Sequence, residues 1–369
     1  MSVIIDISSL SHERISAAPS PLAELGMALH VMVASGHHPG QQGWACATAT
    51  ALAPRLADRL CEAEFMWRNA ISDLFLPFAG LPGTAGLPGS TLADELDHLD
   101  RLTDLQFVTA ALGFTCELSY GTAGTPDLFG DGTTRRRALE LAASRGPQQV
   151  HFTQRLLDDP PAIRVWFRQL LEECDEAFFA DTWARLRTEL ATDARHKNEL
   201  LRHKGLGQAL AAASQAIAYD KATERITVDK LVDGRTATTS GRLTLVPTSL
   251  GRPHVMVVHR PGWQPVIHYP ITAPGPATRS SVQDLSRRME ALAHPVRIRL
   301  CRHLSRGPYT TSELADAHGM TAPEISRHLT VLKKAGLLTA QRRGRYVLHE
   351  LNLTTVARLS SDFIESVLR

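Results

Sequence analysis

MTAPEISRHLTVLKKAGLL, residues 320–338, has the spacing of an amphipathic helix held between two stops. Thr321 and Glu324 stand at the S/T-x-x-E spacing of a capping box, in which each side chain can satisfy an otherwise orphaned backbone amide. Pro323 falls in the first helical turn, where its missing N–H costs nothing. At about 100° per residue, Ile325, Leu329 and Leu332 share one face, and Pro323, Arg327, Thr330 and Lys334 point roughly opposite. One face packs and the other is offered to a partner. Gly336 ends the helix.

The residues just upstream repeat the device. Thr310 and Glu313 form a second capping box opening TSELADAH, a short helix that Gly319 stops. A helix, a turn of about four residues containing glycine, and a second helix with a basic outward face form the helix-turn-helix arrangement, whose second helix reads base edges from its N-terminal part. Further upstream, DLSRRMEALAHPVRIRLCRHLSRG reads as two helices meeting at Pro295, with apolar positions Leu285, Met289 and Leu292 in the first and Val296, Ile298, Leu300 and Leu304 in the second. Downstream, LLTAQ and YVLHEL alternate as two strands of a hairpin with Arg342, Arg343 and Arg345 near its tip, where guanidinium groups suit phosphate. The closing LTTVARLSSDFIESVLR is an amphipathic helix with Leu353, Val356, Leu359, Phe363 and Val367 roughly aligned. Its apolar face predicts packing on a second copy or on the chain's own N-terminal part.

Charge separates this tail from the rest. The chain's 369 residues carry a net charge of +2, but residues 281–369 hold 14 basic against 8 acidic residues, so the first 280 are net acidic. Such asymmetry points to an anionic partner for the tail alone.

Met289–Leu351, above all ALAHPVRIRLCRHL, TSELADAHGMTAPEISRHLTVLKKAGLL and RRGRYVLHEL, resembles the ArsR/SmtB family of winged-helix transcriptional regulators. The resemblance implies a homodimeric bacterial repressor or regulator with Thr321 to Lys334 as recognition helix and Arg342 to Arg345 as wing. The residues expected to meet double-stranded DNA are Thr311, Ser312, Thr321, Pro323, Ser326, Arg327, His328, Thr330, Lys333, Lys334, Arg342, Arg343 and Arg345. Metal-sensing members of that family use cysteines near the third helix or Asp and His ligands on the last. TSELADAH has no cysteine, and the last helix offers only Asp362 and Glu365, so no metal site and no cofactor are expected. Cys301, among apolar neighbours, reads as core rather than as a redox sensor.

The longer N-terminal part says less. ITAPGPATRSS, 271–281, reads as a linker, giving a domain over 1–270 and a DNA-binding domain over 282–369. Within 1–270, SVIIDI reads as a strand and PLAELGMALHVMV as an apolar-faced helix. GLPGTAGLPGS (80–90) and GTAGTPDLFGDGTT (121–134) read as loops. Residues 135–216 turn helical, with Val165, Leu171, Phe178, Trp183, Leu186 and Leu190 as an apolar stripe. ERITVDKLV, GRLTLVPT, HVMVVHR and PVIHYPI then suggest a small antiparallel sheet. The fold expected is therefore α+β: a large, mostly helical N-terminal domain with a small antiparallel sheet, then a winged helix-turn-helix. SVIIDISSLSHERI, the Trp-containing helices at 160–190 and LTLVPTSLGRPHVMVVHRPGWQPVIHYP are similar, more loosely, to long ArsR-like regulators of actinobacteria, and no activity comes with that likeness.

Five scattered cysteines without a C-x-x-C pair indicate neither a disulfide framework nor a zinc knuckle, and no segment approaches the roughly 18 apolar residues of a membrane span. A cytoplasmic protein is expected. No H-E-x-x-H, G-x-S-x-G, P-loop or G-x-G-x-x-G in context appears, so the N-terminal domain is read as sensing a small-molecule effector or stabilising a dimer rather than as an enzyme. An enzyme domain fused to a DNA-binding tail is the alternative. Its one suggestive motif is GHHPG, 36–40, a loop whose paired histidines are expected to face solvent.

Overall fold

The computed structural model describes residues 2–68, 70–82, 86–113, 128–230, 233–238, 241–271, 281–343 and 346–367. The chain divides into two compact units, Met1–Ala273 and Pro274–Leu368. The linker expected over 271–281 and much of the two expected loops lie outside the described residues.

In the first unit the strands are β1 (Ser2–Asp6), β2 (Ile15–Ala17), β3 (Ile217–Asp220), β4 (Arg225–Asp229), β5 (Gly234–Ala237), β6 (Leu243–Thr248), β7 (Met256–Val258) and β8 (Val266–Pro270). The α+β class holds, but the single antiparallel sheet does not. Two four-stranded sheets form, in the orders β3-β4-β1-β5 and β2-β6-β8-β7. Both are mixed: β1 runs antiparallel to β4 and parallel to β5, while β6 runs parallel to β2 and β8, and β7 antiparallel to β8. In the first sheet β1 inserts between β4 and β5, strands that follow the helices; in the second β2 adds at the edge beside β6, and β6 and β8 are themselves parallel. β6 and β8 are buried along their whole length, which is why they read as continuous apolar runs rather than alternating ones.

The helices are α1 (Pro21–Val33), α2 (Gln42–Ala51), α3 (Pro54–Ala63), α4 (Leu92–Asp100), α5 (Asp104–Leu112), α6 (Gly132–Ala143), α7 (Pro147–Asp158), α8 (Pro160–Cys174), α9 (Ala180–His203) and α10 (Leu206–Ala213). The expected apolar-faced α1 is instead buried on every side from Pro21 to Val31. A helix apolar all round has no face left for solvent, so α1 lies in the helical core with Trp67, Phe75 and Phe78. Its Glu24 is also buried, one carboxylate oxygen accepting the amides of Ser249 (3.0 Å) and Leu250 (2.9 Å). Between α8 and α9 a π turn, Asp175–Phe179, shifts the helical register. Phe179 and Leu190 are fully buried, Phe178, Trp183 and Leu186 pack partly, and Val165, placed in the stripe from spacing, is 57% exposed.

The second unit contains α11 (Val282–Leu292), α12 (Pro295–Leu304), β9 (Tyr309–Thr310), α13 (Thr311–His318), α14 (Ala322–Lys334), β10 (Leu338–Arg343), β11 (Tyr346–Leu351), α15 (Leu353–Ala357) and α16 (Leu359–Val367). β10 and β11 form the expected antiparallel hairpin, and β9 adds to β11 as a third strand. Its core is Leu300, Leu304, Leu314, Ile325, Leu329 and Leu332 with Leu337, Leu338 and Leu351. Met289 and Ile298, apolar positions of the two helices that meet at Pro295, are both 49% exposed. Arg288 of α11 reaches Asp362 of α16 at 2.7 Å, with the aspartate buried. That pairing occupies one of the two carboxylates the last helix had to offer a metal.

Candidate nucleic-acid interface

Both expected capping boxes close. At Thr310 the hydroxyl accepts the Glu313 amide (3.3 Å) while Glu313 accepts the Thr310 amide (2.7 Å). At Thr321 the Glu324 carboxylate accepts both the backbone N–H (2.9 Å) and the hydroxyl (2.7 Å). These bonds favour the ionised form and hold both glutamates below the usual carboxylate range. Between the helices Gly319 adopts the left-handed conformation (φ 60°, ψ 37°) that side-chain-bearing residues rarely take, and the Met320 amide returns to the Ala315 carbonyl at 3.0 Å. Gly336 (φ 72°) ends α14 in the same manner, with the Leu337 amide on Leu332.

α14 is thus anchored at both ends and along one face. Ile325, Leu329 and Leu332 are fully or almost fully buried, each contributing about 1.5–3 kcal/mol by leaving water. The opposite face carries Thr321, Pro323, Ser326, Arg327, Thr330, Lys333 and Lys334, all exposed. The Thr330 hydroxyl donates to the Ser326 carbonyl at 2.8 Å. Ser312 is also exposed at the start of α13.

Not every expected contact residue lies on this surface. His328 is half-buried against the ring of His294, 4.9 Å away between centroids, rather than on the offered face. Burial, then the nearby His294, Arg297 and Arg327, lower its pKa. Thr311 is half-buried and lies 3.3 Å from His349 of β11, so it ties the helix pair to the hairpin. Arg342 is exposed on β10, opposite Val347. Arg343 ends β10 by its backbone, while Arg345 lies outside the described residues. Cys301 packs partly against the core, and burial raises its thiol.

The expectation for GHHPG requires correction. His38 is 2% exposed and meets His30 of α1 and His254, which precedes β7, in one cluster within the first unit. Spacing gave no sign of it, since 224 residues separate His30 from His254.

Paired helices about a left-handed glycine, an exposed polar and basic face on the second, and an adjoining hairpin define a winged helix-turn-helix DNA-binding domain. The chain belongs to the family described as "Family of unknown function (DUF5937)", whose model matches residues 1–275, and its C-terminal unit is an ArsR/SmtB-like domain, with a helix-turn-helix domain model matching residues 292–341. Similar proteins include the HTH-type transcriptional repressor SmtB of Mycobacterium tuberculosis, 39% identical over 93 residues, covering 25% of this chain and 69% of that protein. The HTH-type transcriptional regulator NmtR of the same organism is 33% identical over 89 residues, covering 24% of this chain and 74% of that protein. A solved structure of a possible transcriptional regulator for arsenical resistance is 35% identical, covering 21% of this chain and 80% of that one, with a TM-score of 0.20. No helix among the described residues is long and apolar enough to cross a membrane.

Proposed function

We propose that this protein is a cytoplasmic, sequence-specific transcriptional regulator acting as a repressor. α14 enters the major groove, and the β10–β11 hairpin lies on the DNA backbone. The observation that carries this reading is the exposed arc of Ser326, Arg327, Thr330 and Lys334 on a helix whose other face is buried in its own core. Those side chains have the chemistry of base-edge and phosphate contact. Repression is the role named for SmtB, to which this unit is similar.

We infer further that the working form is a homodimer. Val282 and Met289 on α11 and Phe363 and Val367 on the neighbouring α16 are each about half exposed, an apolar surface that suits a second copy. The N-terminal domain, on this reading, is not an enzyme; it senses an effector or stabilises the dimer, and a ligand would act by shifting the separation of two recognition helices that must match a turn of duplex.

Fluorescence anisotropy with the duplex upstream of the protein's own gene, against a scrambled duplex at two salt concentrations, tests the central claim. Tight, salt-sensitive preference for the upstream duplex is expected. Failure to bind any DNA at low salt refutes it.

A further inference from the structure

We propose that His30, His38 and His254 form a three-histidine binding site for a divalent transition metal of the zinc class, with a fourth position open to water or another ligand. The three rings form a nearly equilateral set, their centroids 5.0 Å (His30–His254), 5.1 Å (His30–His38) and 5.1 Å (His38–His254) apart. One nitrogen from each lies within 4.8 Å of those of the other two, and the His30 and His254 Nε2 atoms are 3.3 Å apart. Imidazoles sharing one tetrahedral zinc at about 2.0–2.1 Å set their ligand nitrogens about 3.3 Å apart and their ring centroids about 5 Å apart. The spacing is therefore that of a site needing little movement to close on an ion.

The tautomers point the same way. His30 Nδ1 lies 2.6 Å from the Trp67 carbonyl, and His38 Nδ1 lies 2.6 Å from the Arg252 carbonyl. A carbonyl only accepts, so in both rings Nδ1 carries the proton and a neutral ring leaves the Nε2 lone pair for another partner. This is the arrangement by which outer hydrogen bonds orient metal-binding imidazoles and raise their basicity.

The frame is built before any ion arrives. His30 sits in the last turn of the buried α1, His38 lies between two short 3-10 turns, and His254 follows the segment that Glu24 of the same α1 grips at Ser249 and Leu250. His30 and His38 are buried, whereas His254 is partly exposed and gives an ion a way in. Imidazole-only coordination suits zinc, cobalt and nickel and disfavours magnesium and calcium, which take oxygen. The site lies wholly in the first unit and is independent of the DNA-binding reading.

The test is a Co2+ titration of the chelator-stripped full chain, followed by visible absorption. One equivalent per chain should produce the intense d–d bands of four-coordinate cobalt, and Zn2+ should bleach them. His254→Ala, chosen because that ring is partly exposed, should lose about 100-fold or more in affinity while keeping the metal-free unfolding temperature of the wild type. X-ray absorption on wild-type protein loaded with Zn2+ supplies a readout that depends on no variant, and three imidazole scatterers are expected. Absence of the bands, unchanged affinity in a folded His254→Ala, or fewer than two imidazoles around zinc would overturn the proposal.

Discussion

Arg342→Ala isolates the electrostatic part of DNA binding. Arg342 lies exposed on β10, so its loss should leave stability within about 0.5 kcal/mol of wild type. On the proposed placement of the hairpin it removes one phosphate contact per chain, hence two per operator if the protein binds as a dimer. Each lost contact reduces the slope of log K against log salt by about 0.9, so a dimer loses about 1.8 units of slope and a monomer about 0.9. At about 0.15 M salt a slope change of about 1.8 amounts to a loss of about 30-fold, or roughly 2 kcal/mol, and a change of about 0.9 to about fivefold.

Anisotropy titrations over a salt series measure the slope directly. The loss should fall equally on the upstream and scrambled duplexes, because phosphate carries no sequence, and Arg342→Lys should restore most of the slope, because it restores the charge. Arg327→Ala, on the offered face of α14, is the contrast: it should narrow the gap between the two duplexes. An unchanged slope for Arg342→Ala would refute the placement of the hairpin on the backbone, and a loss confined to one duplex would make Arg342 a base reader instead.

Gly319→Ala meets no atom within 4 Å but forces a side chain into the left-handed region, so it should cost about 1–2 kcal/mol and lower the melting temperature of the winged-helix unit by about 4–8 °C per kcal/mol; an unchanged melt would mean the turn is not held as described. Phe363→Glu places a charge on a surface 47% exposed in the isolated chain and should convert a dimer to a folded monomer in sedimentation equilibrium, whereas a variant that stays dimeric would put the interface elsewhere. His268, in β8, is fully buried with neither ring nitrogen hydrogen-bonded among the described residues, and burial pushes its pKa from 6.5 down to about 3. The neutral ring's contribution is full above pH 6.5 and is lost as pH falls towards 3, so wild type should lose about 2 kcal/mol by pH 5 from this group, and His268→Leu should lose correspondingly less; equal losses would show that the ring is not held neutral.

The winged-helix unit was legible because its determinants are local. Capping boxes, glycine stops and the apolar period of α14 act within a few residues, and the structure contains each of them. His328, expected at the DNA from the family resemblance, lies between the packed and offered arcs of the helical wheel, and a residue from another segment, His294 before α12, half-covers it. The first unit's sheets were less legible for the same reason on a larger scale. Ser2 pairs with Asp229 and Ile15 with Leu243, partnerships no window of sequence contains. β5, GRTA, alternates in burial without an apolar pattern to announce it.

The histidines take this difference to function. A recognition surface built on one helix can be read from the period of that helix, since a single backbone places all its side chains. A three-ligand site has no period. His38 sits in a glycine- and proline-bounded loop, which by itself predicts exposure, and only the packing of that loop beside α1 and the approach of His254 bury it. The unit with the readable sequence is therefore the one whose base-reading face is proposed on one element, and the unit that was hard to read brings its nitrogens together from three. Motif searches over the first unit for contiguous metal-ligand patterns will fail for that physical reason. The carbonyls of Trp67 and Arg252, which fix two of the three rings, are better guides to the site than the residues beside the histidines in sequence.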